Sequence, residues 1–178
     1  MRELSLHILD IVQNSLIAGA RRVEIAVCAD ESTLKITVAD DGRGMSAAMA
    51  MQVTDPFVTS RTTRRVGLGL PLFAQACEMC GGALAVESEE GAGTVVRARL
   101  LRGHIDCPPM GNMAETLWML CLTSGNADIV YRQSGDGVSI CIDTKELRER
   151  LDTPRLEAGR HGAWLRAEIA AALGQLPL

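Results

Sequence analysis

The chain has 178 residues, 47% of them hydrophobic and only 3% aromatic, with a formal net charge of −4. That is one ordinary domain, or one domain plus an appendage, with a core built mainly from Leu, Val, Ile, Met and Ala. Without a dense Lys/Arg block, and with few aromatics to stack on bases, the composition argues against a nucleic-acid partner.

In chain order, residues 3–18 read as a helix ended by Gly19 and the basic pair Arg21-Arg22. Residues 23–27 and 34–38 alternate as strands around a turn at 30–32. A helix starts near Ser46, its candidate N-cap. Residues 67–70 open another helix that runs to Cys80 and stops at Gly81-Gly82. Residues 83–88 and 94–101 form a second hairpin across 89–93. Residues 102–111, with Gly103, Pro108, Pro109 and Gly111, read as a linker. Asn112 and Glu115 have capping-box spacing before a helix through Leu122. Strands at 130–133 and 138–142 flank the hairpin signal Ser134-Gly135-Asp136-Gly137. Asp143 or Thr144 caps a short charged helix, and 161–173 suggests a last one. The expected fold is α+β: a two-layer sandwich of a mixed, mostly antiparallel sheet with helices on one face, plus a small C-terminal α/β appendage. The expected division is 1–103 and 104–178. About 70 residues is marginal for an independent core, so the second unit is expected to pack on the first.

No basic region followed by an apolar run and a cleavage site opens the chain, and no stretch is long and apolar enough to span a membrane. Six cysteines without regular spacing point to reduced thiols and a cytoplasmic location. Cys77 and Cys80 make one CxxC inside a helix, where cysteine packs as a small hydrophobe.

Within the first helix Glu3, His7, Asp10 and Asn14 fall within a ~60° stripe, surrounded by Leu, Ile and Val. A polar stripe inside an apolar helix points at something polar held beside the core. His7 reads as a structural histidine. Asp40-Asp41-Gly42-Arg43-Gly44 lies where a strand ends, and its glycines let backbone approach a ligand closely. Gly67-Leu68-Gly69-Leu70 at a helix start supplies backbone N–H groups for an anion. Gly91-Ala92-Gly93-Thr94 is a hairpin turn by itself.

Taken in order, Asp10-Ile-Val-Gln-Asn14-Ser15 and the three glycine segments resemble the N, G1, G2 and G3 boxes of the GHKL ATPases. The resemblance covers roughly residues 1–101. It implies ATP and Mg²⁺ as ligands, with Asn14 on the metal and Asp40 accepting from the adenine amino group. Gly42, Gly44, Gly67, Leu68 and Gly69 would line the nucleotide, with Thr94 near the base. The G2 segment and Asp55-Pro56-Phe57 look most like sensor histidine kinases, whose ATP lid would here run from Val58 to Val66, with Arg61, Arg64 and Arg65 able to reach phosphates. The base position carries Asp10 where hydrolytic members carry Glu. The resemblance therefore implies a histidine-kinase-like catalytic domain that passes phosphate to a partner protein in signalling. Two alternatives stay open: self-contained hydrolysis with Asp10 as base, and a non-catalytic ATP-dependent switch of the anti-sigma kind.

Overall fold

A computed structural model describes residues 3–53, 69–135 and 137–176. Helix α1 (Leu4–Ile17) precedes strands β1 (Arg22–Ala29) and β2 (Thr33–Asp40), then the short helix α2 (Ala47–Gln52) and helix α3 (Gly69–Met79). Strands β3 (Ala83–Glu89) and β4 (Gly93–Leu101) follow. The chain then gives α4 (Met113–Thr123), β5 (Asp128–Gly135), β6 (Val138–Asp143), α5 (Thr144–Arg150) and α6 (Ala158–Leu173). Six strands form one sheet in the order β3-β4-β2-β1-β5-β6. Four of the pairings are antiparallel and β1–β5 is parallel.

Register explains the core. One row of side chains crosses all six strands: Val86, Val96, Val38, Ile25, Tyr131 and Ile142. Because side chains alternate along a strand, this row and its neighbours two residues away make a single apolar face. Buried residues of α1, α3, α4 and α6 cover that face in one core, with Phe73 and Tyr131 among the largest fully buried side chains. The opposite face carries exposed Lys35, Arg97, Arg99 and Arg132, the usual division of a sheet with one wet side.

The elements from residue 113 onward do more than pack on the rest. Strand β5 pairs along the whole of β1, from Arg22↔Asp128 to Cys28↔Ser134. A two-hairpin sheet ending at β1 would leave that strand's N–H and C=O groups unpaired, and β5 satisfies them. The linker has its own task. The Leu4 N–H donates to the Pro109 carbonyl at 3.0 Å and the Ser5 N–H to Met110 at 2.9 Å. Glu3, at the N-cap position of α1, makes no side-chain capping bond, so these two carbonyls take over orphan donors of the first turn. Gly111, at φ +78°, lies against the Glu3 side chain.

Local signals match the residues that carry them. Ser46 accepts from the Met49 N–H, Asn112 from the Glu115 N–H and Asp143 from the Lys145 N–H, so each caps its helix. The last helix begins at Ala158, three residues before the expected start, and the His161 ring accepts from the Glu157 N–H at its entry.

Candidate functional site

The apolar rows of the sheet give way to polarity at one end. Two residues beyond Val86, Val96 and Val38, on the same face, stand Ser88, Thr94 and Asp40, mutually in register. Asp40 is the last residue of β2, so its carboxylate lies at the mouth of the core. One oxygen accepts from the Ser15 hydroxyl of α1 at 2.6 Å, and the other from the Gly42 N–H at 2.9 Å. Ser15 is 4% exposed. A charge-assisted bond this short fixes the carboxylate's direction and ties the helix to the sheet end.

The neighbouring Asp41 is used differently. Its carboxylate accepts from the Arg22 N–H at 2.8 Å and the Arg21 N–H at 2.7 Å, and these bonds, Arg22's above all, hold it below the ordinary carboxylate range. Of the two adjacent acids, Asp41 closes the entry to β1 and Asp40 ties the end of β2 to α1.

The turn after Asp40 is pinned from both sides. The Arg43 N–H donates to the Ala18 carbonyl at 3.0 Å, and the Gly91 N–H to the Arg43 carbonyl at 2.8 Å. Gly44, at φ +64°, passes so close to the β3–β4 turn that a Cβ would stand 1.9 Å from the Glu89 carbonyl oxygen. Only glycine allows that approach. Gly42 has less clearance problem, its missing Cβ pointing at the Asp40 carboxylate and Ala18.

Across the mouth, α1 presents Asp10 and Asn14 one turn apart. Asn14 is exposed and Asp10 half-buried. Gly69, the first residue of α3, lies directly on the Asp10 carboxylate: a Cβ there would be 1.6 Å from Oδ2. Burial pushes the Asp10 carboxyl above its usual value, and the Asn14 side chain offsets part of the rise.

Three buried polar side-chain atoms lack a hydrogen-bond partner among the described residues: Asp10 Oδ2 and both ring nitrogens of His7. His7 is 1% exposed and its ring stacks on Phe73 with centroids 4.7 Å apart. Burial lowers its pKa to about 4, so the imidazole is neutral. His7 thus packs as a core aromatic, structural as expected but not the hydrogen-bonded core histidine the sequence suggests, since neither ring nitrogen has a partner among the described residues.

The structure therefore gathers Asp10, Asn14, Asp40, Gly42, Gly44, Gly69 and Thr94 around one end of the sheet. Arg64, Arg65, Gly67 and Leu68, with Arg61, the 55–57 segment and the rest of the lid, lie outside the described residues. Sequence reasoning missed Ser15 and Ser88. Ser15 directly follows Asn14 and sits one turn beyond Ile11, a position that returns to the buried side of the helix, so periodicity offered a signal. Ser88 shares a register row with Thr94, which only strand pairing reveals. The six cysteines carry free thiols, and burial pushes Cys77 up to about 12, the behaviour of a packed, unreactive side chain. Among the described residues no helix is long and apolar enough to cross a membrane.

A mixed sheet backed by helices, with a helix-borne Asp/Asn pair facing a strand-end Asp and glycine turns, defines a nucleotide-binding class of domain. Residues 2–104 match the family described as "Histidine kinase-, DNA gyrase B-, and HSP90-like ATPase", and the chain belongs to that family. It therefore carries an ATP-binding domain of the histidine-kinase-like type. Among curated relatives it is 33% identical to the histidine protein kinase DivJ of Caulobacter vibrioides, over 56% of this chain and 18% of that one. It is also 33% identical to the sensor histidine kinase ZraS of Escherichia coli, over 49% of this chain and 19% of that one. The chain thus spans less than a fifth of the length of either kinase. The N-terminal domain of a DNA repair protein shares the fold, with a TM-score of 0.58 at 14% identity over 80% of this chain and 52% of that one.

Proposed function

We propose that the site binds Mg-ATP and passes the terminal phosphoryl group to a side chain of a partner protein. The observation that carries this reading is the placement of Asp40 and Thr94 opposite Asp10 and Asn14, with glycines 44 and 69 leaving backbone and carboxylate uncovered where any side chain would intrude. Asp40 takes the adenine amino group: a part-buried carboxylate selects a donor because a wrong base leaves it unpaired. Asn14, exposed beside Asp10, supplies a hard oxygen ligand, which suits a cation that accepts few ligands from protein. Bound Mg²⁺ would neutralise charge on the phosphates. The start of α3 at Gly69 offers backbone N–H groups to the phosphates, and Gly67, Leu68, Arg64 and Arg65 complete the cradle.

Phosphoryl transfer asks the protein mostly for positioning and charge compensation. Kinase relatives at 33% identity support transfer to protein. Residues 104–178 then serve as the docking or regulatory element for the partner. A second reading has its own support. Asp10 has a raised pKa and a buried oxygen with no partner among the described residues, the condition of a general base kept ready for water.

The test is the fate of γ-labelled ATP with Mg²⁺, the purified protein and cell extract, with Asn14→Ala as control. Label moving to a protein band in an Asn14-dependent way supports transfer. Release as free phosphate by the protein alone, abolished in Asp10→Asn, selects hydrolysis. Absence of ATP binding refutes both.

A further inference from the structure

We infer that Ser88 sets the donor–acceptor polarity of the pocket by fixing the hydroxyl hydrogen of Thr94; this rests on the Mg-ATP reading above. The argument is a hydrogen count. Ser88 Oγ has one hydrogen and two lone pairs. The Met45 N–H donates to it at 2.9 Å. The Gly93 carbonyl, also at 2.9 Å, can only accept, so the single Ser88 hydrogen goes there. Thr94 Oγ1 stands 2.8 Å away, and the hydrogen on that contact must come from Thr94. Ser88 is then saturated, with one bond given and two received.

Thr94 has consequently spent its only hydrogen on Ser88. Toward the pocket it offers lone pairs alone. Asp40, its register partner across β2–β4, is likewise acceptor-only as a carboxylate, and both its oxygens are already held by Ser15 and Gly42. The row therefore presents an edge without a donor. An exocyclic amino group, with two hydrogens to give, fits that edge. A carbonyl at the same ring position meets only lone pairs, and the buried acceptors lose their partners. Sites built this way discriminate far more strongly than apolar ones, by 10⁴–10⁵ in the best cases.

Ser88 is thus a specificity-determining residue acting through Thr94, and its loss has a signature distinct from general weakening. In Ser88→Ala the Thr94 hydroxyl regains rotation and can turn its hydrogen toward a ring carbonyl. Binding of ATP and of inosine triphosphate, which carries oxygen in place of the 6-amino group, is measured by calorimetry with Mg²⁺. The wild-type protein is expected to prefer ATP by at least about 100-fold. Ser88→Ala should shrink that ratio by about tenfold, chiefly through tighter inosine triphosphate binding, with ATP affinity changed less than about threefold. Ser88→Thr keeps the hydroxyl and should keep the wild-type ratio. Should Ser88→Ala fail to fold, Ser88→Cys decides, because a thiol accepts the Thr94 hydrogen only weakly and should shrink the ratio in the same direction. An unchanged ratio in Ser88→Ala or Ser88→Cys, with ATP still bound, overturns the role of Ser88 and leaves the Mg-ATP reading standing. A wild-type protein that binds neither nucleotide overturns both.

Discussion

The contact between Gly69 and Asp10 makes a sharp test, because its two sides differ in stiffness. A Cβ added at Gly69 would stand 1.6 Å from Asp10 Oδ2 and 2.7 Å from Cγ, but 3.4 Å from the Asp10 Cβ. Real Cβ contacts essentially never fall below 3.0 Å, so the carboxylate must retreat by about 3.0 − 1.6 = 1.4 Å while the helix backbone stays put. The swing is a side-chain rotation, costing about 0.5–1.5 kcal/mol if it ends off-rotamer. Replacing a helical glycine by alanine returns about 0.5–1 kcal/mol. Gly69→Ala is therefore expected to leave stability within about 1 kcal/mol of wild type. A displacement above 1 Å of a group that must line up with a reacting atom can cost about 100-fold in rate. The assay pairs a thermal melt with phosphate release or transfer from γ-labelled ATP: an almost unchanged melt and a turnover lower by about two orders of magnitude. Gly44→Ala is the contrast, since its Cβ meets the Glu89 carbonyl at 1.9 Å in a left-handed backbone, and it should lower the melting temperature outright. Wild-type turnover in a folded Gly69→Ala would refute the placement of Asp10 in the reaction.

Three further outcomes follow from the geometry. Ser15→Ala removes the 2.6 Å donor to Asp40, and with a bond to a charged group worth about 1.5–3 kcal/mol, ATP affinity should fall by roughly tenfold to a hundredfold in a titration. Stability should depend on pH through His7: the folded pKa, about 4, lies below the ordinary histidine value of 6.5, so the unfolded chain binds the extra proton between those values and stability drops as pH falls through that window. At about 1.4 kcal/mol per unit, His7 alone removes about 2 kcal/mol between pH 7 and pH 5 in urea melts, a difference that should vanish in His7→Leu. Tyr131→Phe strips the buried donor from Gln133 Oε1 at 2.6 Å and should cost about 1–3 kcal/mol, read as a lower urea midpoint.

The sequence made the front of the site legible and its supports obscure. Asp10, Asn14 and Asp40 stand out as candidates because their local patterns, weak alone, fall in the order of the boxes that the family resemblance supplies. The apolar alternation in 23–27 and 34–38 likewise announced strands whose inward residues are indeed Val23, Ile25, Val27, Leu34, Ile36 and Val38. Ser88 could not be found in the same way, because its role arises from three hydrogen bonds to residues 45, 93 and 94 that only register brings together. The parallel pairing of β1 with β5 was equally hidden. It joins segments about a hundred residues apart, and nothing in an alternating strand pattern states which neighbour will take its second edge. His7 was readable as structural by its apolar surroundings, yet its stacking on Phe73 depended on how α1 and α3 cross.

The attachment of the linker to the start of α1 has a bearing on dissection of the chain. The family match ends at residue 104, but the carbonyls of Pro109 and Met110 that receive the Leu4 and Ser5 N–H groups lie beyond it. A fragment cut at 104 would keep every candidate site residue and still fray the helix that bears Asp10 and Asn14, while baring the β1 edge to any passing strand. Homology and mechanical integrity draw their borders in different places here. The smallest piece worth purifying has to reach past β5.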